Sequence, residues 1–373
     1  MTRGTTPGST DTGSPPKPPA TETGPVAAAA RRDGDRAVVD AFGTGFQHTR
    51  VSRAGGGAYL WSRSAGPDRP TPLHAPTEAA RALLASTGAA GRGCPIRLCL
   101  PAAALGALEY TTTGSVTVAK LLWQLVPGEL RERMTTVLYG TGALLRELHQ
   151  CVPPPGTALT KPASGRPTQE NPGGRLRWDA PHGLSAAPGR VAPTGPARLA
   201  AWLDSGEGPR GATRLHYVLR RRLTGSQWDA VRSWCADLAW QGGDAVLLHG
   251  APSTGSLVLG SGAELLCGED LAQGPAGFDP GWLLGEFLEL RMTAAAHGTP
   301  ADPLLRELPE ALLAGYGTTP DSMWMGRAAV LRLLTHAHDF AAYVGWHPEL
   351  TVYAAAAPGY IDIEGRAALD GTV

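Results

Sequence analysis

The stretch from Val246 to Leu290 constrains this chain more than any other. Val246-Leu247-Leu248 is a short apolar run of strand character that delivers a small polar loop, His249-Gly250-Ala251-Pro252-Ser253-Thr254-Gly255-Ser256, which returns to Leu257-Val258. A second strand, Ala263-Glu264-Leu265-Leu266, leads into Cys267 and the acidic pair Glu269 and Asp270. From Gly274 to Leu290 the chain then reads Gly-Pro-Ala-Gly-Phe-Asp-Pro-Gly-Trp-Leu-Leu-Gly-Glu-Phe-Leu-Glu-Leu, a frame built around Asp279 and Trp282.

These residues resemble the catalytic half of the aminoglycoside-phosphotransferase-like kinases, a protein-kinase-like family. Such kinases carry L-H-G-D-x-x-x-x-N, an apolar strand ending in I-D-W-E, and then G-D-P-x-x-D-x-A/G-W-L-L. Laid on that pattern without a gap, His249 and Gly250 match, but the general-base Asp is Ala251, the metal-holding Asn is Ser256 and the second metal-holding Asp is Cys267. By resemblance, Asp279 is the buried carboxylate that hydrogen-bonds the backbone of the catalytic loop, and Trp282 is a structural partner beside it. The resemblance spans roughly Ala41 to Leu350 and implies an α+β, two-lobed protein-kinase-like fold with a small β-rich N-lobe and a larger helical C-lobe. It marks the chain as a degenerate, pseudokinase-like member.

The rest of the chain divides accordingly. Residues 1–36 are rich in Thr, Pro and Gly with too little apolar content to offset the entropy of ordering, and are expected to be a disordered tail. Residues 37–113 form the N-lobe: Arg50 to Arg53, the glycine run Gly55-Gly56-Gly57, and Ala58 to Trp61 read as strand, turn and strand. Thr77 followed by helix formers predicts a short helix through Leu84, and Pro95 to Leu100 and Gly106 to Tyr110 are further strands. The C-lobe occupies 114–373, with helices expected at Val116–Leu125, Glu129–His149, Arg198–Leu203, Ser226–Trp240, Leu304–Tyr316 and Ala328–Trp346, and a Pro/Gly-rich insertion at 152–196. Gly142 to His149 resembles the family's G-x-x-L-R-x-L-H helix, which packs under the catalytic loop.

Composition excludes several classes of function. Lys plus Arg and Asp plus Glu both number 33, so the chain has no global charge with which to attract nucleic acid or an acidic membrane, and Arg31-Arg32 and Arg220-Arg221-Arg222 read as solvated charges. Five cysteines without a C-x-x-C pair argue against a disulfide framework or structural zinc. No apolar run approaches the roughly 20 residues that a membrane helix needs. A cytoplasmic protein with no nucleic-acid or membrane partner is expected.

Phosphoryl transfer requires clamped phosphates, held magnesium and a carboxylate to take the hydroxyl proton. Gly55, Gly56 and Gly57 are candidates for a phosphate-covering turn, with Arg63 in place of the usual Lys and Glu78 as its partner; a plain hairpin turn and ordinary surface charge are the competing readings. Thiol and hydroxyl at Cys267 and Ser256 are poor ligands for a hard dication, which leaves Glu269 and Asp270 as substitutes. Ala251 has no proton acceptor, and loss of a positioned base costs about 10² to 10⁴ in rate. His249 with Ser253 or Ser256 lacks the G-x-S-x-G elbow of a hydrolase. Thr335-His336-Ala337-His338-Asp339 is a metal cluster only on paper, because helical residues two apart do not share a face.

The expected function is therefore a pseudokinase that binds a peptide or an enzyme, in the setting of Ser or Thr modification of a ribosomal precursor peptide in natural-product biosynthesis. No cofactor is firmly implied; ATP and Mg²⁺ belong to it only if nucleotide binding is retained. The alternative is a rewired ATP-dependent phosphotransferase acting on a hydroxyl of a small molecule or peptide through Glu269 or Asp270. A third reading, sequestration of an aminoglycoside-like antibiotic, requires an acidic cleft drawn from Glu264, Glu269, Asp270 and Glu286.

Overall fold

A computed structural model describes residues 36–86, 96–104, 106–122, 128–154, 156–162, 191–240, 245–299, 301–317 and 321–370. The expected tail at 1–36, apart from Arg36, and most of the insertion at 152–196 lie outside them, as does Cys94. Contacts separate Met1–Arg36 from Ala37–Val373, and the description that follows concerns the second unit.

The first part of that unit is a five-stranded antiparallel sheet. Its strands are β1 (Val38–Gly43), β2 (Gln47–Arg53), β3 (Tyr59–Ala65), β6 (Ala102–Ala104) and β7 (Ala107–Thr112), in the order β1-β2-β3-β7-β6. Val51, Trp61, Leu108 and Tyr110 alternate onto one face and bury themselves with Leu73, Val258 and Leu266, so this face of the sheet packs on the part of the chain that carries the loop. Helix α1 (Glu78–Ser86) starts where Thr77 Oγ1 accepts the Ala80 N–H at 3.1 Å, satisfying one of the donors that a helix N-terminus leaves unpaired.

Strand β5 (Ile96–Cys99) departs from the expected order. It leaves the first sheet and pairs in parallel with β12 (Ala263–Leu266), in a second sheet ordered β5-β12-β11-β8, where β11 is Leu257–Leu259 and β8 is Val116–Thr117. Ile96 enters the main core on one side of this sheet while Cys99 joins the core under the first sheet. The helix expected from Val116 accordingly begins with two strand residues and becomes α2 only at Val118–Leu122. Strand β10 (Val246–Leu248) pairs antiparallel with β13 (Ala272–Gly274), so the loop between β10 and β11 and the acidic pair after β12 come to one place.

The remainder is helical: α3 (Gly128–His149), α4 (Thr194–Ser205), α5 (Ala212–Arg222), α6 (Gly225–Trp240), α7 (Phe278–Ala296), α8 (Leu304–Tyr316), α9 (Ser322–Tyr343), α10 (Leu350–Asp362) and α11 (Arg366–Asp370). Helix α7 is nearly encircled by neighbours, with Trp282, Leu283, Leu284, Phe287 and Leu288 all buried in the main core. Helices α5, α10 and α11 were not expected. Two ends of the presumed insertion are regular: Thr160–Pro162 forms β9 against β4 (His74–Pro76), and α4 begins at Thr194. The protein is thus mixed α+β, with a β-sheet N-terminal part and a helical C-terminal part. Among the described residues no helix is long and apolar enough to cross a membrane, and Cys99, Cys151, Cys235 and Cys267 are free thiols.

Candidate functional site

The loop after β10 is held from below by a single carboxylate. Asp279, on the first turn of α7 and fully buried, accepts the backbone N–H of His249 at 2.7 Å and of Gly250 at 3.0 Å. His149 at the end of α3 donates Nε2–H to the same carboxylate at 3.0 Å, and its Nδ1 lies 2.8 Å from the Tyr316 hydroxyl. Gly250 has φ +87°, and a Cβ there would collide with the carbonyl of Asp270, so conformation and close approach both require glycine. His249 donates Nε2–H to the Leu266 carbonyl at 3.0 Å, and burial lowers its pKa, keeping the ring neutral and structural.

The rest of the loop closes on itself. Ser256 Oγ accepts the Ser253 N–H at 3.1 Å, Ser253 Oγ accepts the Ser256 N–H at 3.1 Å, and the Ser256 hydroxyl donates to the Ser253 carbonyl at 2.8 Å. Glu286 on α7 fixes the middle of the loop, accepting the Thr254 N–H at 2.9 Å and its hydroxyl at 2.6 Å. Ser256 is thereby committed to a turn, and Ala251 faces the cleft with a methyl group.

A cavity of about 300 Å³ lies above the loop. Its roof is the turn between β1 and β2, where Phe46 is flanked by Arg69, 4.1 Å from the ring centroid, and Arg198, 4.6 Å from it. The Gly45 N–H donates to the Tyr343 carbonyl of α9 at 2.9 Å, so this turn is tied to the helical part. Arg198 pairs with Asp339 at 2.7 Å, and Arg69 pairs with Glu269 at 2.7 Å with both side chains nearly inaccessible. Burial and the nearby Asp270 push the Glu269 carboxyl up, against Arg69 and Arg63, which pull it down. Asp270 accepts a hydrogen bond from the Thr194 hydroxyl. Arg63 enters the same cavity over the face of Tyr110 at 5.4 Å; among the described residues its buried Nε and the buried Tyr110 hydroxyl have no hydrogen-bond partner.

The candidate residues therefore separate into two groups. His249, Ala251, Ser256, Glu269, Asp270, Arg63 and Trp282 meet at the cavity, with Asp279 beneath it. The glycine run does not join them: Gly55–Gly57 form a short 3-10 turn between β2 and β3, exposed and with open space around all three. The turn that does cover the cavity is Thr44-Gly45-Phe46, whose signal in the sequence is the glycine pair Gly43 and Gly45 beside an aromatic residue. Glu78 is exposed at the start of α1, 3.9 Å from Arg81, and makes no ion pair with Arg63. Cys267 turns away from the cavity into a small apolar core with Leu84, Leu148, Leu247 and Leu271, where burial raises its thiol pKa well above the ordinary value. Glu264 and Glu286 are occupied elsewhere, Glu264 by Thr113 and Arg97, so the cleft is not the acidic one that an aminoglycoside-like ligand would need. In α9, His336 pairs with Glu289 at 2.5 Å and His338 with Asp339 at 2.8 Å, in separate contacts.

Magnesium does not fit this donor set. Ala251 offers no ligand, Ser256 is committed to the turn, Cys267 is turned away and Glu269 is neutralised by Arg69, which leaves Asp270 as a lone carboxylate. Among the described residues no three His, Cys, Asp or Glu side chains converge.

No protein-family model matches the chain. No curated protein matches it either. Solved structures do. The chain is similar to a macrolide 2'-phosphotransferase from Brachybacterium faecium, 14% identical, with 87% of this chain and 91% of that one covered and a TM-score of 0.36. It is similar to a choline/ethanolamine kinase family protein from Mesorhizobium loti at 15% identity, covering 92% and 91% with a TM-score of 0.42, and to choline kinase from Cryptosporidium parvum at 12%, covering 92% of each with a TM-score of 0.40. The structural neighbours of this chain are thus a macrolide 2'-phosphotransferase, a choline/ethanolamine kinase family protein and a choline kinase.

Proposed function

We propose that the protein is a catalytically degenerate phosphotransferase-fold protein whose cleft binds a peptide or an enzyme partner without transferring phosphate. One observation carries this reading: the loop is fully braced by Asp279 and Glu286, yet what it presents to the cavity is the methyl of Ala251 and a Ser256 hydroxyl already used within the loop. A brace without a proton acceptor or a metal site suits a surface that must keep its shape and has no chemistry to perform. The partner we assign is a ribosomally made precursor peptide whose Ser or Thr residues are modified, or the enzyme that modifies it. Calorimetric titration with ATP, with and without magnesium, and a long incubation assayed for ADP test the first half of the proposal. No magnesium-dependent binding and no ADP are expected; steady ADP formation overturns it. Co-purification with a modification enzyme tests the second half, and a protein that stays monomeric in the presence of such enzymes and peptides sinks it.

The rewired phosphotransferase has one observation in its favour. Among the described residues Asp270 lines the cavity with a hydroxyl, and no cation, as its hydrogen-bond partner, whereas Glu269 is held by Arg69. If ADP does form, Asp270→Asn should abolish it.

A further inference from the structure

Helix α5 carries an arginine ridge that the cleft does not explain. Arg214, Tyr217 and Arg221 are spaced by three and four residues, so they line one exposed face of the helix over about 10 Å, with Arg220 and Arg222 beside its end. Tyr217, in the middle of the face, is 60% exposed. Among the described residues none of these four arginines has a carboxylate within 4.0 Å; the ion pairs nearby, Arg210 with Asp68 and Arg232 with Asp204, use other arginines.

The arginines are nevertheless fixed in place. Arg214 lies 3.8 Å from the centroid of Trp346, Arg220 lies 4.6 Å from that of Trp228, and Arg221 lies 5.6 Å from the Tyr217 ring while donating to its hydroxyl at 2.9 Å. Stacking on an aromatic face leaves the in-plane N–H fork of a guanidinium free, so the forks of Arg214 and Arg220, and the edge of Arg221 that Tyr217 does not use, are held towards solvent with part of their rotamer entropy already removed. Arg220 to Arg222 also stand at the helix C-terminus, where cations favour the dipole. Arg214 stands in the first turn, where a cation opposes it and no acidic residue compensates. Helix stability therefore does not account for Arg214.

We propose that this ridge is a docking surface for an acidic peptide segment of a partner protein, whose carboxylates pair with the Arg214, Arg220 and Arg221 forks around Tyr217. A carboxylate accepts two parallel N–H bonds from one guanidinium, which matches the free edges presented here. The surroundings set the size and kind of partner. Exposed Asp204, Glu207 and Asp229 flank α5 on the neighbouring segments, Gly206 abutting His216 and Trp228 seating Arg220. A long polyanion such as nucleic acid would run over these acids, whereas a short acidic stretch along two turns of helix would not. The inference stands whether or not the cleft transfers phosphate.

Fluorescence anisotropy of a fluorescein-labelled Glu-Gly-Ser repeat peptide titrated with the full-length protein at low salt tests it. Binding is expected to weaken as salt is raised, and to fall at least about tenfold in the double variant Arg214→Glu, Arg221→Glu, with Arg214→Gln, Arg221→Gln between the two. Thermal melting of both variants should stay close to that of the parent, because losing the cation relieves the dipole at Arg214 and opposes it at Arg221. No binding by the parent, equal binding by the charge-reversed variant, or tighter binding of a single-stranded oligonucleotide of the same length overturns the proposal.

Discussion

Cys267 and Ala251 both stand where the resemblance places carboxylates, yet their surroundings are opposite. Cys267 is packed among Leu84, Leu148, Leu247 and Leu271, while Ala251 is half-exposed at the cavity. Cys267→Asp should cost about 3 kcal/mol or more, since it places an unpaired carboxylate in an apolar core, and should lower the denaturant midpoint sharply. Ala251→Asp should change that midpoint by less than about 1 kcal/mol and should still yield no ADP, because a base without a metal site does not restore transfer. Half of this contrast was legible in the sequence, which reads Cys267 most simply as a small buried residue at the end of the strand Ala263–Leu266; that Ala251 lines the cleft was not, because it depends on how the loop is folded. The bracing of the loop was more legible, because Asp279 follows His249 by 30 residues and Gly250 by 29, a spacing that a short motif can record. Arg69 and Phe46 escaped notice for the converse reason: their roles depend on Glu269 and Arg198, each more than a hundred residues away in the chain.

Helix α3 packs on α8 through two glycines that face each other's backbone. A Cβ on Gly142 would collide with the Leu312 carbonyl, and one on Gly315 would collide with the Tyr139 carbonyl. Gly315→Ala should therefore lower stability by about 1–3 kcal/mol in chemical denaturation, because it forces apart the helix whose end carries His149. Gly359 is the control: it lies in α10 with nothing within 4 Å, and Gly359→Ala should raise stability by about 0.5–1 kcal/mol. Equal effects at the two positions would refute the close packing of α3 and α8. At this scale the sequence was informative where periodicity was clean, as in α3, α8 and α9, and where a cap was explicit, as at Thr77. It was silent on α5, whose polar face obscures the apolar positions Ala212, Leu215 and Leu219, and on β4 and β9, where proline in each strand hides a pairing made across more than eighty residues.

Across the whole helical part, α7, α9 and α10 are joined by one buried carboxylate. Glu289 lies 2.5 Å from His336 Nδ1, accepts the Tyr353 hydroxyl at 2.8 Å and lies 3.4 Å from Arg332. Burial pushes the Glu289 carboxyl up, but His336, Arg332 and the Tyr353 hydroxyl outweigh it and leave the pKa at about 2, below the ordinary 4.5. A carboxyl whose pKa is depressed on folding binds its proton more weakly in the native state, so its stabilisation is fully present above pH 4.5 and is lost as pH falls towards 2. The size of the shift corresponds to about 3 kcal/mol. Acid titration of stability, followed by urea midpoints between pH 5.5 and pH 2.5, should therefore show a steep loss in the parent below about pH 4.5. Glu289→Gln keeps the shape and the acceptor for Tyr353 while removing the charge; it should begin less stable at pH 5.5 and lose less over the same interval. Parallel curves for parent and variant would show that Glu289 does not supply the acid-sensitive link between these helices, and that the fall in stability arises from carboxylates elsewhere.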